Sequence, residues 1–274
     1  MDDKPRGRLC AVARGYSVRV GSPTDNMRQH AVRTPTRWAW CLWNLLQLGF
    51  TLAFTAAGIS CALALLALTR RPDRVLRMGA TWWGPVLLAG AGARLVVEGR
   101  ENVDFSRNYL FVSNHQSVID ICALFVALPV PLRFLLKQEM LKVPFVNWYA
   151  RATGMLFLDR DSRRAGALVR RRAAAALAQG RDLCLFPEGT RSRGGELAGF
   201  KAGLLQAAID AGVAVVPVAL DGAGKILPVQ GLFRVRPGII RVRIGAPIEA
   251  AGLDRQELTR RAHAAVGRML EPRI

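Results

Sequence analysis

Tyr109-Leu110-Phe111-Val112-Ser113-Asn114-His115-Gln116-Ser117-Val118-Ile119-Asp120 begins as an apolar strand, turns through polar residues, and leads into Ile121, Leu124, Phe125 and Leu128 at helical spacing. Runs of the same strand-like kind recur at 95–97, 109–112, 133–136, 155–158, 183–186, 213–218 and 239–244. Helical patterns separate and follow them. One starts at Asp161 or Ser162, either of which suits an N-cap, and runs to Gly180; others run from Lys201 to Ala211 and from Asp254 to Leu270. This alternation predicts an α/β fold, a mixed, mostly parallel sheet covered by helices, with the working loops at the strand carboxyl ends.

His115 and Asp120 bracket the turn. Positions five apart on a regular helix are rotated by roughly 140° from one another, so the two cannot share a face if both lie mid-helix. If His115 instead lies in the turn, the Asp120 carboxylate can accept from one ring nitrogen, fixing the tautomer and stabilising the imidazolium. The other nitrogen is then free to take a proton from a hydroxyl, which is the geometry of a general-base dyad. The bland alternative is a capping or core histidine, and the spacing alone leaves both open.

A second constellation, Phe186-Pro187-Glu188-Gly189-Thr190-Arg191-Ser192, follows another apolar strand. Pro187 and Gly189 force a turn. Arg191 offers a planar fork for bidentate phosphate contact, while Thr190, Ser192 and the loop amides add neutral donors. Glu188 is placed to orient Arg191 or to balance its charge. Further cations stand at loop ends: Arg160 and Lys137 each after a strand, and Lys201 at the start of a helix. The strand Val216-Pro217-Val218-Ala219-Leu220 is apolar and suits either the core or the wall of an acyl pocket.

The chain combines a formal charge of +19 with a hydrophobic fraction of 51%. An anionic partner is implied, and charge alone does not choose between nucleic acid and a membrane leaflet. The hydrophobicity chooses: residues 38–69 carry no charge, a run far longer than the roughly 20 apolar residues that span a bilayer. Trp38, Trp40 and Trp43 open it at the position where aromatic residues favour the headgroup level. A second uncharged stretch, 78–93, holds Trp82, Trp83 and Pro85 and suits a re-entrant or interfacial helix. The expected organisation is a basic mobile tail (1–37), a two-helix membrane anchor (38–93) and a catalytic domain (94–274), with no nucleic-acid partner. Basic residues flank the first segment on both sides (Arg33 and Arg37 before it; Arg70, Arg71, Arg74 and Arg77 after it), which fits a monotopic hairpin. Five scattered cysteines and three scattered histidines suggest neither a disulfide framework nor a metal site, and favour a reducing compartment.

Taken in order, Asn114-His115-x-x-Ser117-x-Asp120, then Gly154-x-x-Phe157-Leu158-Asp159-Arg160, then Phe186 to Ser192, then Val216-Pro217-Val218 resemble the four motifs of the glycerolipid acyltransferases, notably the bacterial 1-acyl-glycerol-3-phosphate acyltransferases. The match spans about residues 95–248, and the anchor before it is similar too. The resemblance implies that His115 is the general base toward the acceptor hydroxyl and Asp120 its orienting partner. It implies that Arg160 and Arg191 hold the acceptor phosphate, with Glu188, Gly189 and Thr190 shaping that site and Lys137 assisting. The acyl donor implied is acyl-CoA or acyl-carrier protein, used as a substrate, with no resident cofactor, no metal and no acyl-enzyme. The partners implied are membrane lipids and a lysophospholipid acceptor, at the cytoplasmic face of the bacterial inner membrane. The sequence departs from the pattern at Ala198-Gly199-Phe200-Lys201-Ala202-Gly203, where many relatives have a proline and an additional base. That departure keeps another acceptor, such as a lyso-ornithine lipid, in view; a non-catalytic basic binding protein is the reading of a different class.

Overall fold

The computed structural model describes residues 37–159, 163–192, 196–229 and 233–271. The basic tail, the expected cap at Asp161 or Ser162, and Arg160 fall outside them. Among the described residues, seven strands form one sheet: β1 (Ala93–Glu98), β2 (Leu110–Ser113), β3 (Arg133–Lys137), β4 (Leu156–Leu158), β5 (Leu183–Leu185), β6 (Val215–Asp221) and β7 (Gly238–Ile244). Their spatial order is β1-β7-β6-β2-β5-β3-β4. Every neighbouring pair is parallel except β6 with β7, so β1 and β7 run opposite to the other five. The seven expected strands and the mixed, mostly parallel sheet are all present. Pro217 is tolerated within β6 because it stands one residue ahead of the β6–β7 ladder, where its missing N–H removes no bond of that ladder.

Strand alternation divides the core into two layers. Tyr109 and Phe111 point to one face, and Leu110 and Val112 to the other, since successive side chains alternate across a strand. The first face is covered by α3 (Gly84–Gly90) and α4 (Asp120–Ala127). The second is covered by α6 (Arg163–Ala178), α7 (Gln206–Ala211) and α9 (Arg255–Leu270). Asp254 caps α9 as its sequence suggests, accepting from the amides of Gln256 and Glu257 at 2.8 Å each. β6 belongs to this core and is buried almost throughout. The helix expected to open at Lys201 begins only at Gln206, after a turn through residues 202–205, and the Lys201 amide donates to the Pro187 carbonyl at 2.9 Å.

The amino-terminal helix α1 (Arg37–Thr69) runs through Gly49 and Gly58 without a break. Its 33 residues make it about 50 Å long, against the roughly 30 Å of a bilayer's hydrocarbon core. Among the described residues it is the one helix long and apolar enough to cross a membrane, and only 17% of its most apolar window is buried. The second anchor segment differs from expectation. It starts earlier, as α2 (Pro72–Met78), passes through a π-helical turn (Gly79–Trp83) into α3, and lies between α1 and the domain. It runs antiparallel to α1, with Gly90 against Phe50 and Gln47, Trp83 donating to Thr55 Oγ1 at 3.2 Å, and Trp82 against Gly58. Gly84 permits its approach to α4: a Cβ there would stand 2.9 Å from the Gly79 carbonyl and 3.1 Å from that of Cys122.

Where β2 and β5 begin, Asp182 is buried and accepts from the Tyr109 amide at 3.0 Å. Burial raises its carboxyl from 3.8 to about 6, against the opposing pull of that amide and of Arg133. A carboxyl that holds its proton more tightly folded than unfolded contributes no penalty below the unfolded value. Stability then falls as pH rises through the interval between the two values and stays lower above it. Asp182→Asn, which keeps the acceptor and cannot ionise, is expected to stabilise the protein at pH 7 by on the order of 3 kcal/mol. The gain should shrink to nothing near pH 4; thermal unfolding of the two proteins in detergent across pH 4 to 8 measures it, and a gain independent of pH would count against the buried charge.

Candidate active site

The five co-directional strands β2 to β6 bring the loops after β2, β3, β4 and β5 to one end of the sheet, where a cleft of about 1390 Å³ opens. His115 lies in the loop between β2 and α4, and Asp120 is the first residue of α4. This is the placement that their five-residue spacing requires for contact. His115 Nδ1 stands 2.8 Å from Asp120 Oδ2. The same oxygen accepts the amides of Gln116 at 2.6 Å and Ser117 at 2.8 Å, so the loop closes as a ring around it. A ring nitrogen facing an acceptor of this kind carries the proton, which leaves the Nε2 lone pair free. Asp120 is wholly buried, while the His115 side chain is 17% exposed and lines the cleft.

The histidine is held by more than its partner. Its ring stacks on Phe186, with centroids 3.9 Å apart and planes at 13°. Its own amide donates to Glu188 Oε1 at 2.7 Å, and its carbonyl accepts from the Ser192 amide at 2.8 Å. Glu188 Oε2 accepts from the Ala198 amide at 3.1 Å. Glu188 therefore ties the histidine loop to the segment after β5, instead of orienting Arg191 as its sequence position suggests. Burial pushes its carboxyl above the usual range, opposed by the two amides it accepts from. Asn114 joins the loop to β6, donating to the Leu220 carbonyl and accepting its amide at 2.8 and 2.7 Å, and Ser117 Oγ donates to the Leu227 carbonyl. Gly189 has φ 78°, and a Cβ on it would come within 3.0 Å of Lys201 Nζ, so the close turn beside that lysine requires glycine.

Lys137, Thr190 and Arg191 line the same cleft as His115, as their sequence positions predict. Arg170 of α6, Lys201 and Arg255 join them, so among the described residues five cations there face two carboxylates, Asp159 and Glu196. Lys137 pairs with Glu139, and Arg170 lies 3.5 Å from Asp210. Clustered cations in a concave site focus field lines and draw in an anion. Arg170 escapes a reading by motif because it sits mid-helix in an arginine-rich run, and Phe186, which opens the second constellation, carries no sign there that its ring would stack on the histidine. Asn114 carries a visible signal, a polar residue directly beside the histidine.

Beside the cleft lies an apolar cavity of about 300 Å³, enclosed by α1, the α2–α3 segment, α4 and α5 (Val146–Thr153). Val118, Ile121, Leu136 and Met140 line both. A base in a cation-lined cleft, next to a greasy hollow, can deprotonate a hydroxyl on a molecule with an anionic head and a hydrocarbon tail.

Comparison with known proteins gives concordant matches. The family model "Acyltransferase" matches residues 94–221. The chain is 38% identical over 204 residues to a lyso-ornithine lipid O-acyltransferase of Pseudomonas aeruginosa, covering 68% of this chain and 75% of that one. It is 32% identical over 182 residues to a 1-acyl-sn-glycerol-3-phosphate acyltransferase of Chlamydomonas reinhardtii, covering 66% of this chain and 54% of the relative, so it spans about half the length of that protein. Among solved structures it is similar to the 1-acyl-sn-glycerophosphate (LPA) acyltransferase PlsC of Thermotoga maritima, with a TM-score of 0.75 and 29% identity over 85% of this chain and 95% of the other.

The three bonds on Asp120 Oδ2 give an expectation specific to this loop. In Asp120→Asn the amide oxygen should keep the position held by two backbone donors, so His115 stays protonated on Nδ1. The new NH2 would take the place of Oδ1, which is buried and has no hydrogen-bond partner among the described residues, at about 1–3 kcal/mol of stability. Nitrogen-15 NMR of labelled histidine reads the tautomer; a switch to the Nε2–H form would show the side chain turned over and the amides too weak to hold it.

Proposed function

Because this chain belongs to the acyltransferase family, we propose that it transfers a fatty acyl group to the free hydroxyl of 1-acyl-glycerol-3-phosphate, giving phosphatidic acid. The observation that carries this reading is the His115–Asp120 pair at 2.8 Å, opening on a cleft lined by Arg191, Lys137 and three further cations. The acceptor phosphate would lie among those cations, with its hydroxyl at Nε2. The base takes the hydroxyl proton as the alcohol oxygen attacks the thioester carbonyl. Asp120 stabilises the imidazolium that forms. Collapse breaks the carbon–sulfur bond, and the proton on Nε2 passes to the departing thiolate, which restores the enzyme. The donor we assign is acyl-CoA or acyl-carrier protein, and the apolar cavity suits hydrocarbon. The long apolar helix α1 supports a place at the membrane, for which we assign the cytoplasmic face of the inner membrane.

A second acceptor, lyso-ornithine lipid, is favoured by one specific observation: the Pseudomonas relative is 38% identical and is covered over 75% of its length. Both acceptors present an anionic group to the cleft, one a phosphomonoester and the other a carboxylate beside an ammonium. Competition between the two lysolipids for purified protein in mixed micelles separates them. Faster acylation of lysophosphatidic acid is expected, and a preference for lyso-ornithine lipid would transfer the assignment.

His115→Ala is expected to lower turnover by about 10²- to 10⁴-fold with the fold intact, as removal of a general base does. Near wild-type acyl transfer by that variant would remove the base assignment. Arg191→Ala should act mainly on KM for the phosphate-bearing acceptor; an unchanged KM together with weakened thioester binding would move Arg191 to the donor side.

A further inference from the structure

The turn leading into α5 presents apolar side chains outward. Val143 and Phe145 are 38% and 37% exposed, and Trp148, one helical turn on, is 52% exposed. Phe145 has φ 60° and ψ −56°, the centre of a strained γ-turn closed by the Val146 amide donating to the Pro144 carbonyl at 2.6 Å. The strained backbone sets its ring beside that of Trp148, centroids 5.2 Å apart, so the two form one aromatic knob. Lys142 and Arg151, both exposed, flank it. On its inner side α5 packs against α1 and α2, and its Val146, Tyr149 and Ala150 wall the apolar cavity.

We propose that residues 142–151 form a second membrane-contact patch, seating Val143, Phe145 and Trp148 at the headgroup level of an anionic leaflet. Three properties select lipid as the occupant. The patch continues from α1, whose apolar face is open. Its composition, aromatic and aliphatic residues between two basic ones, is that of an interfacial anchor. Its flanking charges are both positive and complement anionic headgroups. The patch also borders the cavity whose lining includes the exposed Trp82 and Val118, so contact there presents the cavity to the bilayer. A lysolipid could then move its chain from leaflet to cavity with little exposure to water. The inference rests on the membrane placement of α1 proposed above, and its test reads the two separately.

Trp148 is one of six tryptophans, and Trp148→Phe removes its emission while keeping an apolar ring. The full chain and this variant are reconstituted into phosphatidylcholine–phosphatidylglycerol vesicles whose acyl chains carry bromine, a contact quencher. The difference between the two spectra belongs to Trp148 and is expected to be quenched. The remaining emission, from Trp38, Trp40 and Trp43 among others, reports α1. Quenching of that remainder with Trp148 untouched overturns the patch alone; quenching of neither overturns the patch and the membrane placement together. An unquenched Trp148 whose emission changes with protein concentration would assign the patch to a second copy of the chain and overturn the lipid assignment. As a functional arm, Phe145→Ser/Trp148→Ser is expected to raise KM for a vesicle-borne acceptor on the order of 10-fold, with turnover on a monomeric short-chain acceptor unchanged. Equal KM for the vesicle-borne acceptor in the two proteins also overturns it.

Discussion

One carboxylate oxygen, Asp120 Oδ2, organises the catalytic end of the sheet. It accepts two backbone amides and one imidazole nitrogen within 2.8 Å, at the start of a helix whose dipole also favours negative charge there. Three donors on a single buried oxygen leave little freedom in the loop between β2 and α4. The histidine is therefore preorganised before any substrate arrives. Its tautomer, ring plane and outward nitrogen follow from that oxygen, and the stacked Phe186 ring limits rotation.

The second constraint is the coupling of two loops that are far apart in sequence. Glu188 and Ser192 grip the amide and carbonyl of His115, so the segment that carries Arg191 and the segment that carries the base move as one body. Parallel pairing of β2 with β5 makes this possible, because it delivers both loops to the same end of adjacent strands. A charge-lined cleft alone would only concentrate anions. Joined rigidly to the base, it can hold an anionic head so that a hydroxyl on the same molecule meets Nε2.

The amino-terminal helices complete the site rather than merely carrying it. The π-helical turn and Gly84 let the α2–α3 segment lie close on α4, and with α1 and α5 they enclose the apolar cavity that shares four residues with the cleft. A polar cleft and a greasy hollow on a common wall match an amphiphile: the head is held by charge, and the tail is removed from water.

By itself the sequence located the strands and singled out the residues of the site. Apolar periodicity located all seven strands, Asp254 marked the start of α9, and the five-residue interval between His115 and Asp120 required the histidine to sit in a turn. Those features depend on neighbours along the chain, which a linear reading can see. What only the tertiary structure decided depends on contacts across it. Strand order turned Glu188 from a partner of Arg191 into a clamp on the histidine backbone, because a buried carboxylate takes whatever donors the adjoining loop presents. The bond from the Lys201 amide to the Pro187 carbonyl tied the segment before α7 to the turn after β5, a contact between residues 14 apart in sequence. The close approach of α3 to α4, which the missing side chain of Gly84 permits, set the second anchor segment against the domain as well as against α1. Arg170 and Phe186 entered the site for the same reason: a helix face and a strand end acquire a role from what the fold sets opposite them.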